Sequence, residues 1–193
     1  MPDRVLLRGG VHEIVISRSR FRAALARVPD EAAATAFVAG VRREHWTATH
    51  HCTAWRLGVG GARSRSADDG EPAGTAGVPM LEVLARRGLT DSVAVVSRWF
   101  GGTKLGAGGL VRAYGRAVAD AVDAGRVEHA LRAAGDRIAS VDHGAAVTIT
   151  VHVPEPSTAA FTARLAALTA GATVPEPVGK VLLDVTDVTG RPG

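Results

Sequence analysis

The sequence predicts an α+β chain, and three stretches carry the prediction. Residues 145–153, AAVTITVHV, alternate Val147, Ile149, Val151 and Val153 with Thr148, Thr150 and His152, the two-residue period of a half-buried strand. Residues 92–100, SVAVVSRWF, form a mostly apolar run of strand length, as a central strand covered on both faces requires. Leu110, Tyr114, Ala117, Val118, Ala121 and Val122 recur instead at helical spacing, with Arg112, Arg116, Asp120 and Asp123 off the apolar stripe.

The other elements follow in chain order. Residues 11–20, VHEIVISRSR, alternate apolar and polar and read as a single strand. Residues 30–44 read as a helix: Ala34, Phe37, Val38 and Val41 share a face, Asp30 caps the start, and Arg42 and Arg43 suit the C-terminal end. Residues 49–57, THHCTAWRL, are a second strand, with His50, Cys52 and Ala54 on one face and His51, Thr53, Trp55 and Leu57 on the other. Residues 58–77 are rich in Gly, Ser and charge without periodicity, and are expected to form a long functional or disordered loop. A short helix follows, with Pro79 in its first turn, Met80, Val83 and Leu84 on one face, and Gly88 as its stop. Near the end, a helix over 156–170 buries Phe161, Leu165 and Leu168 and ends at Gly171, residues 180–185, KVLLDV, form a strand, and a loose tail follows Val188.

Composition narrows the function classes. A chain of 193 residues that is 46% apolar can bury a real core, which excludes wholesale disorder. Cys52 is the only cysteine, so no disulfide forms within the chain. The N-terminal stretch is charged throughout, and no run approaches the roughly 18 apolar residues of a membrane span. A cytoplasmic protein without a membrane partner is expected. Residues 1–125 hold 17 Lys and Arg against 12 Asp and Glu, whereas residues 126–193 hold 6 against 7, so a polyanion would prefer the first part. Aromatic residues make up only 4%, and no strand pattern suggests a base-stacking platform.

The densest motif is RWFGGTKLGAGGLVRAYGRAV, residues 98–118. A P-loop needs Lys before Thr, and GGTKLG reverses them; a dinucleotide fingerprint needs a third glycine where Val111 stands. A strand that enters a glycine turn opening a helix still leaves free backbone amides and a helix dipole aimed at one spot. Gly101, Gly102, Gly106, Gly108 and Gly109, with Lys104, Arg98 and Arg112 nearby, are therefore candidate contacts for phosphate or RNA, unless the glycines only admit tight helix-on-sheet packing. In DDGEPAG, Asp68, Asp69 and Glu71 are positioned to gather a hard cation or act as acid and base, or simply to bond local turn amides. In HHC, His50 and Cys52 face one way but lack a second cysteine at ligand spacing. Cys52 is expected to be a packed core thiol and His50 or His51 a polar contact of the acidic loop. No cofactor, metal or catalytic residue is assigned.

EIVISRSRF, HHCTAW, DDGEPAGTAGVPML and VVSRWFGGTKLGAGGLVRAYGRAV, in that order, closely resemble the IMPACT family, whose bacterial members are called YigZ-type proteins. The resemblance covers essentially the whole chain. It implies two domains: residues 1–124 as an α/β sandwich similar to the second domain of ribosomal protein S5, and residues 125–188 as a small ferredoxin-like domain, with 189–193 as a tail. A ferredoxin-like half should begin with a strand, but AVADAVDAGRVEHALRAAGDRIASVDHG passes from one helical stretch into the next. The first strand is therefore expected to be missing, with strands near 137–141, 145–153 and 180–185. Eukaryotic members regulate translation under amino-acid stress by competing for the activator of a kinase. The resemblance thus implies a non-enzymatic binding protein in translation regulation, with RNA, the ribosome or a protein of that apparatus as partner. Two rivals stand beside it: a phosphate-handling or metal-assisted hydrolase built on the acidic loop, which requires its carboxylates in one pocket, and an interaction module whose glycines are purely structural.

Overall fold

The structure, a computed structural model, describes residues 4–5, 9–143 and 147–179. Its centre is a five-stranded antiparallel sheet built from β2 (Val11–Ile16), β3 (Ser19–Arg27), β4 (His50–Leu57), β5 (Arg63–Ala67) and β7 (Ser92–Trp99), in the order β2-β3-β7-β4-β5. Two short strands, β1 (Arg4–Val5) and β6 (Leu89–Thr90), pair in parallel beside it. As its apolar run predicts, β7 lies in the middle, with Ser92 to Arg98 all buried.

Helices cover both faces. On one side, α1 (Glu31–Glu44) sets Ala34 and Val41 against Val93, Val95 and Leu57; the Asp30 side chain accepts the Ala33 amide and starts the helix. On the other, α2 (Gly77–Arg86) and α3 (Gly106–Ala133) bring Met80, Leu84, Leu110, Tyr114 and Val118 onto Phe21, Cys52, Ala94 and Val96. The period of two along β7 divides the cores: positions 93 and 95 serve α1, positions 94 and 96 serve α2 and α3.

Two expectations change. Residues 11–20 are not one strand but the first arm and corner of a hairpin, turning at Ser17 and Arg18 with φ of 46° and 66°. That backbone is the type I′ pattern usually signalled by Asn-Gly, and Ser-Arg carries no such signal. Within the expected loop, residues 63–67 form β5, paired with β4. As an outer strand with exposed side chains, RSRSA needs no apolar alternation; its backbone alone joins the sheet.

The chain falls into two compact units, Met1–His152 and Val153–Gly193. In the first, α3 runs unbroken to Ala133, and no strand intervenes before β8 (Arg137–His143), which pairs with β9 (Val147–His152). In the second, a 3-10 turn at Glu155–Ser157 leads into α4 (Thr158–Thr169), where Phe161 and Leu165 are buried, Leu168 is half-buried, and Ala170 and Gly171 end the helix at positive φ. The expected strand over 180–185 and the tail lie outside the described residues.

Candidate functional site

Arg98 ends the buried strand β7 on the face covered by α2 and α3, and its charge makes a partner obligatory. Pairing sets His50 of β4 and Phe21 of β3 opposite it. Glu71 supplies the countercharge: Arg98 Nη1 donates to its Oε1 at 2.5 Å, with the two side chains 5% and 4% exposed. The Tyr114 hydroxyl, from α3, donates to the same oxygen at 2.7 Å, and His50 Nε2 lies 3.9 Å from it. Arg98 Nη2 donates to Ser19 Oγ at 3.2 Å, and Ser19 Oγ also accepts the Gly101 amide at 3.2 Å. A continuous polar chain thus links the acidic loop to the glycine turn through the core. Sequence reading overlooked Ser19 and the hydroxyl of Tyr114. The available signal was a tyrosine inside an apolar stripe, since a buried phenol needs a partner.

The rest of the acidic loop is committed locally. Asp68 accepts the amides of Gly74, Ala76 and Gly77 at 2.7–3.0 Å, and so caps α2, whose own N-cap residue, Ala76, has no side-chain acceptor. Burial raises the Asp68 carboxyl, and these three amides outweigh it, leaving the group below its ordinary value. Asp69 accepts the His51 amide at 2.6 Å and Arg42 Nη2 at 2.6 Å; burial pushes its carboxyl up, and those two donors bring it below the ordinary value. His50 Nδ1 donates to the Asp69 carbonyl at 2.8 Å, and His51 Nδ1 lies 2.9 Å from Ser97 Oγ across the sheet. Cys52 is fully buried, its thiol donates to the Asp68 carbonyl at 3.0 Å, and burial pushes its pKa up to about 12. Asp68, Asp69 and Glu71 therefore each face different donors, and among the described residues no group of three His, Cys, Asp or Glu is arranged to hold a metal ion. The loop's side chains pin it to the sheet and to α2.

The glycine turn divides into two kinds of position. At Gly101 a Cβ would lie 2.0 Å from the Arg18 carbonyl oxygen, so this glycine admits the β2–β3 hairpin turn. Gly102 and Gly106 take φ of 82° and 70°, with open space where a Cβ would point. A Cβ at Gly108 would meet only the end of the Arg112 side chain, at 3.4 Å, whereas at Gly109 it would press on Leu105 Cβ at 3.0 Å. The amides of residues 102–105 reach no acceptor among the described residues, and α3 has Leu105 as its N-cap, without a capping side chain or an acid in its first turn. Lys104 and Arg112 are exposed and make no ion pair or hydrogen bond among the described residues. The turn thus presents free donors and two uncommitted cations to solvent, with Arg98 held beneath it by Glu71 and Ser19.

The hairpin, acidic loop and glycine turn all lie within residues 17–122, which match the Impact N-terminal domain family. The chain belongs to the IMPACT family. Residues 123–172 match a second family, described as Domain of unknown function (DUF1949), so the chain carries two domains of α+β class. The boundary between the two matches falls inside the unbroken α3. The IMPACT family member YvyE of Bacillus subtilis is 40% identical over 183 residues, covering 84% of each chain. The IMPACT family member YigZ of Escherichia coli is 39% identical over 182 residues, covering 81% of this chain and 88% of its own. A solved structure described as "Crystal structure of an hypothetical protein" shares 36% identity and a TM-score of 0.60, over 87% of this chain and 93% of that one. Among the described residues, no helix is long and apolar enough to cross a membrane.

Proposed function

We propose that this IMPACT family member is a non-enzymatic binding protein in the regulation of translation, which takes RNA phosphate, free or on the ribosome, at the turn over residues 101–109. The observation that carries the reading is a set of donors without acceptors among the described residues: amides of residues 102–105 and the uncapped start of α3, flanked by Lys104 and Arg112, which have no acidic partner among those residues. Free amides at a helix N-terminus beside cations suit an anion, and a phosphate supplies several acceptor oxygens at once. The basic excess of residues 1–125 supports a polyanion in particular. Lys104 and Arg112 contact phosphate directly; Arg98, paired to Glu71, holds the turn in place from below. The translation setting follows from the family resemblance, and the engaged state of Asp68, Asp69 and Glu71 weighs against a hydrolytic role for the acidic loop.

The test is fluorescence anisotropy with labelled single-stranded and hairpin RNAs across a salt series, for the wild type, Lys104→Ala and Arg112→Ala. Binding should weaken steeply with salt, and each substitution should flatten the slope of log Kd against log salt by about 1. Absence of binding at low salt, or equal affinity in both variants, overturns the proposal.

A further inference from the structure

A groove of about 400 Å³ runs between α2 and α3 on their outer side, away from the sheet. Its floor is apolar: Pro79 and Val83 from α2 meet Val111, Gly115 and Ala119 from α3. The α3 positions recur every four residues and so form a row about 12 Å long. Val111 remains 40% exposed. Three arginines, Arg86, Arg112 and Arg116, stand among the lining residues against one acid, Glu82. Among the described residues, Arg86 and Arg116 make only exposed i,i+4 pairs, with Glu82 and Asp120, each at 3.2 Å. Such pairs are weak and readily exchanged.

Gly115 stands in the floor of this groove, inside α3. Glycine disfavours a helix interior. Its missing Cβ would meet Val83 Cγ2 at 3.9 Å and Pro79 Cβ at 4.0 Å, ordinary contacts, so internal packing has room for alanine. Glycine here keeps the floor deep and the α3 backbone approachable.

The geometry points to a docking groove for an acidic, amphipathic segment of a partner protein, its apolar residues seated on the row 111, 115 and 119 and its carboxylates on Arg86, Arg112 and Arg116. Charge complementarity sets the sign of the occupant, and the apolar floor sets its class. A nucleic-acid strand would use the arginines and leave the floor uncovered, whereas apolar residues three or four apart with flanking acids use both.

The test is selection of a phage-displayed library of random dodecapeptides on the full chain, followed by binding of the enriched peptides to variants. Enriched sequences should combine apolar residues spaced three or four apart with Asp or Glu. Their affinity should fall at least about tenfold in Arg116→Glu and in Gly115→Leu, and persist in Lys104→Ala, which separates this groove from the phosphate site. Because the side chain of Gly115→Leu also presses on Pro79 and Val83 of α2, Arg116→Glu, on the exposed rim, carries the decision. No enrichment over background, enriched peptides without acids, affinity indifferent to Arg116→Glu, or loss of binding only in Lys104→Ala each overturns the proposal.

Discussion

Substituting Glu71 by glutamine keeps the side chain's shape and one acceptor oxygen, but removes the only countercharge bonded to Arg98 among the described residues. The two side chains are 4% and 5% exposed, so water does not replace the lost charge. Removing one partner of a buried ion pair costs about 3–5 kcal/mol, and glutamine's retained oxygen places Glu71→Gln near 3 kcal/mol. For a unit of this size that lowers Tm by roughly 6–12 °C. Arg98→Met should cost about as much, since it leaves Glu71 buried with only Tyr114 and a distant His50 among the described residues. The double variant Glu71→Gln/Arg98→Met should fall short of additivity by about 2 kcal/mol, because neither charge then remains to be stranded. Urea unfolding followed by tryptophan fluorescence reads this unit specifically, as Trp46, Trp55 and Trp99 all lie within residues 1–152. A loss below about 1 kcal/mol for Glu71→Gln, or additive single losses, would refute the buried-pair reasoning.

Three further outcomes are expected. His45 and His51 are both held below 6.5, chiefly by burial, and Asp68 and Asp69 below 3.8, where amide and Arg42 donors outweigh burial. Folded values below unfolded ones mean stability is complete above pH 6.5, declines as pH falls through the histidine range, and declines again below about pH 4; a thermal-melt series from neutral to acid pH should show both steps. With its pKa at about 12 and full burial, Cys52 should resist a thiol reagent in the native protein at pH 8 and react on unfolding. Gly101→Ala sets a methyl against the Arg18 carbonyl and should cost about 1–3 kcal/mol in urea unfolding, whereas Gly108→Ala should leave stability unchanged or slightly raised.

The sequence made some of this legible for identifiable reasons. The run of residues 92–100 announced a strand covered on both faces, and Ala94, Val95 and Val96 are indeed wholly buried. The helical spacing from Leu110 to Val122 marked the face of α3 that packs on the sheet. Alternation along residues 49–57 correctly sent Cys52 and Trp55 to opposite sides. What stayed hidden depends on backbone or on distant partners. The Ser17-Arg18 turn has unusual residues for its φ values, and β5 joins the sheet by main-chain bonds with a polar sequence. The Arg98–Glu71–Tyr114 cluster unites residues 27 and 43 positions apart, a proximity that periodicity does not encode. The glycine cluster was ambiguous in the sequence because its positions do different things in the fold. Gly101 faces the chain's own hairpin, while the amides of residues 102–105 meet no acceptor among the described residues.

The most direct measurement is a titration of the ¹⁵N-labelled protein with a short single-stranded RNA, followed through backbone amide shifts. Phosphate at the turn predicts the largest shifts at the amides of residues 102–109, with those of the Asp68-capped start of α2 unmoved. Saturating RNA that leaves these amides in place, or that shifts another surface instead, would contradict the account.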